Sequence, residues 1–135
     1  MKIKKLLILT ALALCLSGCG AAGEAEKKEA VYMNITPREA KAIMDTETGY
    51  VILDVRTKQE YDQGHIPGAV LIPDTEIAAR AEKELTDKDR LILVYCRSGR
   101  RSKLAAEELV KLGYTNIVEF GGIIDWPGET VSGME

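Results

Sequence analysis

The sequence predicts an α/β fold in which a parallel sheet carries helices on its faces. Short β-branched or apolar runs alternate with amphipathic helical patterns along the chain, as in proteins built on parallel sheets. Two of the helical patterns begin with a threonine-based capping signal. The chain is 46% hydrophobic and 29% charged, which is typical of a globular domain and excludes wholesale disorder.

The first half of the chain contains three predicted strands and two predicted helices. Thr36, Pro37 and Glu39 supply an N-cap, a proline at the first helical position and a capping-box glutamate, so a helix is expected to follow Thr36. Thr57 repeats the same signal for a short helix that ends at Gly64. The three strands are expected at residues 31–35, 50–55 and 70–72.

The second half begins with a helix that is expected over residues 74–85. The run Leu91–Tyr95 is apolar throughout and predicts the central strand of the sheet. Apolar residues at helical spacing predict a strong helix over Ser102–Leu112. A fifth strand at residues 117–120, a tight turn at 121–122 and a last helical turn at 123–126 complete the prediction.

Residues 1–18 resemble a bacterial lipoprotein signal peptide. Three lysines precede an apolar run over residues 6–16, which is shorter than the ~20 residues that span a bilayer but has the length of a secretory segment. The sequence LSGC at 16–19 resembles a lipobox, in which cleavage precedes the cysteine. We therefore expect an extracytoplasmic protein held at a bacterial membrane by lipid on Cys19. A plain signal peptide or an uncleaved anchor is the alternative.

Three segments follow from this interpretation. Residues 1–18 are the signal peptide, residues 19–30 are a flexible tether of small and charged residues, and residues 31–135 form one domain. Cleavage would remove Cys15 and lipid would occupy Cys19, so Cys96 would be the remaining free thiol. A lone thiol forms no internal disulfide. Cys96 is therefore either an inert buried residue or a reactive one.

The loop CRSGRR at residues 96–101 favours the reactive interpretation of Cys96. It joins the central strand to the strong helix, at the end of the sheet where ligands bind in open parallel folds. Consecutive amides in a tight loop that opens a helix can surround an anion and stabilise a thiolate. Three arginines within six residues favour an anionic substrate, and an apolar pocket for an inert cysteine would not gather them.

Several motifs together resemble the rhodanese family over residues from about Tyr32 to Trp126. The GHIPGA segment is the most specific of them, and its combination with the cysteine loop is more specific still. Within this family, the sequence most resembles the small, exported, single-domain members that accept sulfur from thiosulfate. The matching motifs are LDVR at 53–56, EY at 60–61, GHIPGA at 64–69, the cysteine loop at 96–101 and GG at 121–122 ahead of Trp126.

The resemblance implies a three-layer α/β fold with a five-stranded parallel sheet, and the transfer of a sulfane sulfur through a Cys96 persulfide. Thiosulfate or a similar anion would be the donor, and cyanide or a thiol the acceptor. Arg100 and Arg101 are expected to face the donor, whereas Arg97 is expected to point outward. The backbone amides that would hold the persulfide belong to Arg97, Ser98, Gly99, Arg100 and Arg101.

Other residues of the matching motifs are expected to support the site. The resemblance implies that Asp54 orders neighbouring loops and that His65 forms a turn and takes no part in catalysis. Arg56 is spaced for a local ion pair with Glu60. One histidine and so few cysteines supply no set of soft ligands, so no metal and no cofactor is expected.

Two other functions remain open. A phosphatase or an arsenate reductase uses a related loop but needs Cys-x5-Arg, whereas Arg101 gives Cys-x4-Arg and the next position is Ser102. A persulfide carrier or another binding module is harder to separate from an enzyme. The formal net charge of −3 argues against nucleic-acid binding. We expect a monomer whose partners are a small anionic sulfur donor, a nucleophilic acceptor and the membrane.

Overall fold

A computed structural model describes residues 31–133, in which five strands alternate with four α-helices. The five-stranded parallel sheet flanked by helices is therefore confirmed. The predicted signal peptide, the tether and Cys19 lie outside the described residues. The strands are Met33–Asn34 (β1), Val51–Asp54 (β2), Val70–Leu71 (β3), Ile92–Cys96 (β4) and Ile117–Gly122 (β5). The helices are Pro37–Thr46 (α1), Lys58–Gln63 (α2), Ile77–Glu84 (α3) and Arg100–Lys111 (α4).

The strand order is β1-β5-β4-β2-β3, and each neighbouring pair runs parallel. β4 lies at the centre and is buried along its whole length, which explains why its sequence carries no charged residue. Asp54 at the end of β2 lies opposite Tyr95 of β4. The end of β2 and Cys96 therefore lie together at the carboxyl-terminal end of the parallel strands.

The helices form two layers, one on each face of the sheet. Alternate residues of β4 face opposite sides. Val94 and Cys96 pack in the core with α3 and α4, whereas Leu93 and Tyr95 pack with Ala40 of α1. This alternation produces the expected three-layer arrangement. Among residues 31–133, no helix has the length and apolar character needed to cross a bilayer.

Both predicted capping boxes are present. The Thr36 hydroxyl accepts a hydrogen bond from the Glu39 amide, and the Glu39 carboxylate accepts one from the Thr36 amide. Thr57 and Glu60 make the same reciprocal pair at the start of α2, which ends at Gly64 as expected. Two short 3₁₀ turns, Asp74–Glu76 and Ile123–Asp125, precede α3 and follow β5. The predicted helix over 74–85 therefore becomes α-helical only from Ile77.

Two predicted boundaries at the cysteine loop are wrong. The strong helix begins at Arg100 rather than at Ser102, because Gly99 takes a φ of +112° and forms its N-cap directly after the loop. The expected turn at Gly121 and Gly122 is instead the last part of β5. Gly122 lies opposite Cys96, and the register of the two strands shifts between Val94 and Cys96.

Candidate active site around Cys96

Cys96 is the last residue of β4, and its side chain is buried beneath the loop that follows. The Gly99 amide donates a hydrogen bond to the Cys96 sulfur over 3.0 Å. The twelve-residue helix α4 begins one residue later, so the positive end of its dipole adjoins the loop. The expected amide donor to the sulfur is therefore present at Gly99, where the positive φ is accessible to glycine.

Gly122 of β5 lets the cysteine loop approach the sheet. A side-chain carbon at this position would overlap the carbonyl of Arg97 and the amide of Ser98. The Arg97 carbonyl also accepts a hydrogen bond from the Ile124 amide over 3.3 Å. The absence of a side chain at Gly122 thus fixes the path of the first residues of the loop.

Arg101 binds a carboxylate of the protein itself. Its guanidinium donates two hydrogen bonds to Glu60, of 2.7 and 2.8 Å, and lowers the pKa of that carboxyl group to about 2. The pKa of Arg101 is raised, chiefly by the same hydrogen bonds. The expectation that Arg101 is available to an anionic donor is therefore corrected. The expected Arg56–Glu60 pair is also wrong, since Arg56 pairs with Asp54 instead.

Arg97 and Arg100 are both exposed. Arg97, whose side chain is expected to point outward, is exposed and lines a cavity of about 600 Å³ beside the loop. Arg56 and Glu60 lie on the same cavity, with Ile123 and Ile124 as apolar walls. Because Arg101 neutralises Glu60 and Asp54 neutralises the buried Arg56, an anion entering this cavity would meet the exposed guanidinium of Arg97.

Asp54 is at the centre of a buried hydrogen-bonded cluster. It accepts hydrogen bonds from the Arg56 backbone and guanidinium and from the Tyr95 hydroxyl, the last over 2.6 Å. The Arg56 guanidinium also donates a hydrogen bond to the Gly64 carbonyl, and the Tyr95 hydroxyl oxygen accepts one from the Ile66 amide. Burial opposes the charge on Arg56, but the hydrogen bonds that it donates to Asp54 outweigh this effect, and the pKa of the guanidinium is raised. The pKa of Tyr95 is raised, mainly because its hydroxyl is buried and secondly because the Asp54 carboxylate lies beside it. These contacts tie the end of β2 to the GHIPGA loop.

His65 is held within its own loop. Its ring stacks on Tyr61 with centroids 3.6 Å apart, and Nδ1 lies 2.8 Å from the Tyr61 carbonyl oxygen. Its backbone pairs with Val131 in both directions. These contacts describe a residue that shapes a turn.

Glu119 is a buried carboxylate at the site that the sequence interpretation missed. It lies in β5, is 0% exposed, and accepts hydrogen bonds from Ser102, Asn34 and the Gly121 amide. Ser102 in turn lies 3.4 Å from the Cys96 sulfur. The sequence did contain a signal for this residue, since Glu119 interrupts the apolar run IVEF at 117–120. A glutamate in a buried strand is rarely without a hydrogen-bonding partner, so its position indicates a buried polar contact.

The arrangement can hold a sulfur nucleophile and bind an anion beside it. The Gly99 amide donates to the Cys96 sulfur, and the N-terminus of α4 adjoins it. Within residues 31–133, no group of three or more His, Cys, Asp or Glu side chains is placed to bind a metal ion.

Comparison with known proteins places this site in a recognised context. Residues 36–128 match the model of the rhodanese-like domain. The chain is 41% identical over 91 residues to a putative sulfur carrier protein of Bacillus subtilis, an alignment that covers 67% of this chain and 48% of that protein. It is 40% identical over 73 residues to a thiosulfate sulfurtransferase of Escherichia coli, covering 54% of this chain and 70% of the relative.

A solved structure of rhodanese with anions from E. coli has a similar fold. The two superpose with a TM-score of 0.59 and 37% identity, over 62% of this chain and 99% of the other. The chain thus aligns with about half of the sulfur carrier but with nearly all of this small domain.

Proposed function

This chain belongs to the rhodanese-like domain family, and from that premise we propose that it transfers a sulfane sulfur through a persulfide on Cys96. Thiosulfate or a similar anion is the donor, and cyanide or a thiol is the acceptor. The observation that carries the proposal is the contact of the Gly99 amide with the Cys96 sulfur, at the junction of β4 and α4. Relatives named as a thiosulfate sulfurtransferase and a sulfur carrier support the same chemistry.

The first step forms the persulfide. The Cys96 thiolate attacks the outer sulfur of thiosulfate, the sulfur–sulfur bond of the donor breaks, and sulfite leaves with the electron pair. The negative charge then lies on the terminal sulfur of the persulfide, where the loop amides can bind it. Arg97 on the adjoining cavity supplies positive charge for the donor.

The second step returns the enzyme to its starting state. Cyanide or a thiolate attacks the terminal sulfur, and Cys96 leaves as a thiolate while thiocyanate or a new persulfide departs. A carrier differs from an enzyme only here, because a carrier keeps its sulfur until a protein acceptor binds. The relative named as a sulfur carrier supports this second candidate.

The loop argues against a phosphatase. The position at which Cys-x5-Arg would place its arginine is Ser102, which is buried and hydrogen-bonded to Glu119.

Mass spectrometry of the intact protein tests the proposal. Incubation with thiosulfate should add one sulfur atom to the wild-type chain and none to Cys96→Ser, because a serine hydroxyl stays protonated and is a weak nucleophile. Cyanide should then remove the sulfur and yield thiocyanate. Hydrolysis of p-nitrophenyl phosphate without any gain of sulfur would reject the proposal. Retention of the sulfur against small acceptors would identify a carrier.

We also propose that the protein is extracytoplasmic and anchored through lipid on Cys19, with residues 19–30 as the tether. The support is the lipobox-like sequence and the composition of the tether.

A further inference from the structure

Three side chains form a buried chain of contacts from the nucleophile into the core. The Cys96 sulfur lies 3.4 Å from the Ser102 hydroxyl oxygen, and that oxygen lies 2.5 Å from Oε1 of Glu119. Ser102 and Glu119 are 0% exposed and Cys96 is 1% exposed. Cys96, Ser102 and Glu119 come from β4, α4 and β5 respectively, so the fold and not the local sequence brings them together.

The contacts of Glu119 match those of a carboxylate, which only accepts hydrogen bonds. The Gly121 amide donates to Oε1 over 2.8 Å, and the Asn34 amide donates to Oε2. Ser102 supplies a third donor. Three donors converge on one buried group and hold its carboxylate in place as an acceptor.

The single hydroxyl proton of Ser102 fixes the direction of the chain. Carbonyl oxygens of Gly99 and Gly121 lie 3.1 and 3.3 Å from the Ser102 oxygen, but Glu119 is nearer and carries charge. When the proton points to Glu119, a lone pair of Ser102 is left for the Cys96 thiol, which donates to it. The thiol proton therefore already lies on a path to the carboxylate.

We propose that Glu119 is a positioning residue for sulfur transfer which, acting through Ser102, provides the Cys96 thiol with an internal proton acceptor. This inference deepens the proposed function and rests on Cys96 being the sulfur nucleophile. It explains how a buried thiol is activated in a site whose histidine is bound in another loop.

The proton transfer balances without any external group. The S–H bond of Cys96 breaks as an O–H bond forms on Ser102, while the original Ser102 proton moves to Glu119. The products are a thiolate and a neutral carboxylic acid, so the pair keeps one negative charge throughout. When the acceptor later removes the sulfur, Cys96 leaves as a thiolate and recovers the proton along the same path.

Tyr32 and Arg101 interact electrostatically with members of this chain of contacts. Tyr32 lies on the side of β1, and its pKa is raised by burial first, then by Glu107 and by Glu119. Arg101 lies on α4, and Cys96 contributes to its raised pKa after the larger effect of Glu60. Because Arg101 binds Glu60 through both terminal nitrogens, it does not neutralise Glu119.

The test is the pH dependence of alkylation at Cys96 by iodoacetamide. The full chain is used, and the peptide that carries Cys96 is quantified by mass spectrometry so that Cys15 and Cys19 do not contribute. Wild type is compared with Glu119→Gln and Ser102→Ala, and Glu107→Gln removes an exposed carboxylate of α4 as the matched control. Circular dichroism verifies that each variant is folded.

If Glu119 is the internal proton acceptor, the alkylation rates of the two site variants should differ from that of wild type at low pH and converge with it at high pH. Near pH 6 both site variants should react about tenfold or more slowly than wild type, because their thiol must release its proton to water. Near pH 10 the solvent removes the proton in every variant, so the rates should agree within about twofold. The double variant should be no slower than either single one. Glu107→Gln should follow wild type throughout.

Two results would overturn the inference. An equal slowing at all pH values would assign Glu119 a merely structural role, and faster alkylation of Glu119→Gln at every pH would show that its charge only opposes the thiolate. If Glu119→Gln does not fold, Ser102→Ala decides between the same outcomes. The assay needs no sulfur donor, so a protein that takes no sulfur from thiosulfate yet shows converging profiles would refute the proposed function alone.

Discussion

The guanidinium of Arg101 is bonded through two nitrogens to the carboxylate of Glu60, and this pair joins the start of α4 to α2 beside the cysteine loop. Glu60 also accepts the Thr57 amide as part of its capping box. One carboxylate therefore stabilises the beginning of α2 and holds the arginine that follows the loop.

The first prediction concerns this ion pair. The pKa of Glu60 is about 2 in the folded chain against an ordinary value of 4.5, so its stabilisation is complete above about pH 4.5 and is lost as the pH falls toward 2. Glu60→Gln should lower the free energy of unfolding at pH 7 by about 1 kcal/mol, after allowance for the partly exposed site. Urea unfolding at pH 7 and pH 3 measures the difference, which should be smaller at pH 3. A difference that is equal at both pH values would contradict the prediction.

The second prediction concerns the close approach at Gly122. Gly122→Ala should displace the backbone of Arg97 and Ser98, lower stability by about 1–3 kcal/mol and reduce sulfur transfer by about a hundredfold. Gly64→Ala is the matched control, because its new carbon would meet only Thr130 at 3.8 Å. Thiocyanate formation and thermal unfolding are measured on both. Normal activity in Gly122→Ala would show that the loop tolerates displacement.

The third prediction concerns binding of the anionic donor. Arg97→Ala should raise KM for thiosulfate about twofold to fivefold with little change in stability, since Arg97 is exposed and lines the cavity. Arg38→Ala removes an exposed arginine from α1 and should leave KM unchanged. Steady-state kinetics at low and high salt provide the measurement, and the effect of Arg97→Ala should shrink at high salt. Equal KM values for the two variants would remove Arg97 from the binding site.

The fourth prediction concerns the anchor. Cells that express the wild-type chain and receive a labelled fatty acid should incorporate the label into this protein, whereas Cys19→Ala should carry none. Cys96→Ala is the control, because a thiol in the domain should not affect lipidation at residue 19. Equal label in wild type and Cys19→Ala would reject the lipoprotein interpretation.

The elements of the fold could be predicted because their signals are local. The capping residues Thr36 and Thr57 and the apolar run of β4 act within a few neighbouring positions, and the structure reproduces each of them. The end of β5 could not be predicted in this way. Gly121 and Gly122 have the composition of a turn, but packing of the cysteine loop keeps them in the strand.

Contacts between distant residues explain the remaining errors at the site. The spacing of Arg56 and Glu60 suggests a local pair, but Asp54 binds Arg56 in the core and Arg101, 41 residues away, binds Glu60. The contact of Ser102 with Glu119 likewise spans 17 residues. The loop that follows Cys96 could be located from the sequence because its residues are consecutive.

The short edge strand β1 connects the start of the domain to the buried carboxylate. It contains two residues, pairs only with β5 among the described strands, and its Asn34 donates a hydrogen bond to Glu119. Edge segments with few backbone bonds open at a lower free energy than central strands. Local fraying of this edge would therefore remove one of the three donors from Glu119 while β4 stays folded. Amide hydrogen exchange near residues 33–35 thus reports on the environment of Glu119 and, through Ser102, of Cys96.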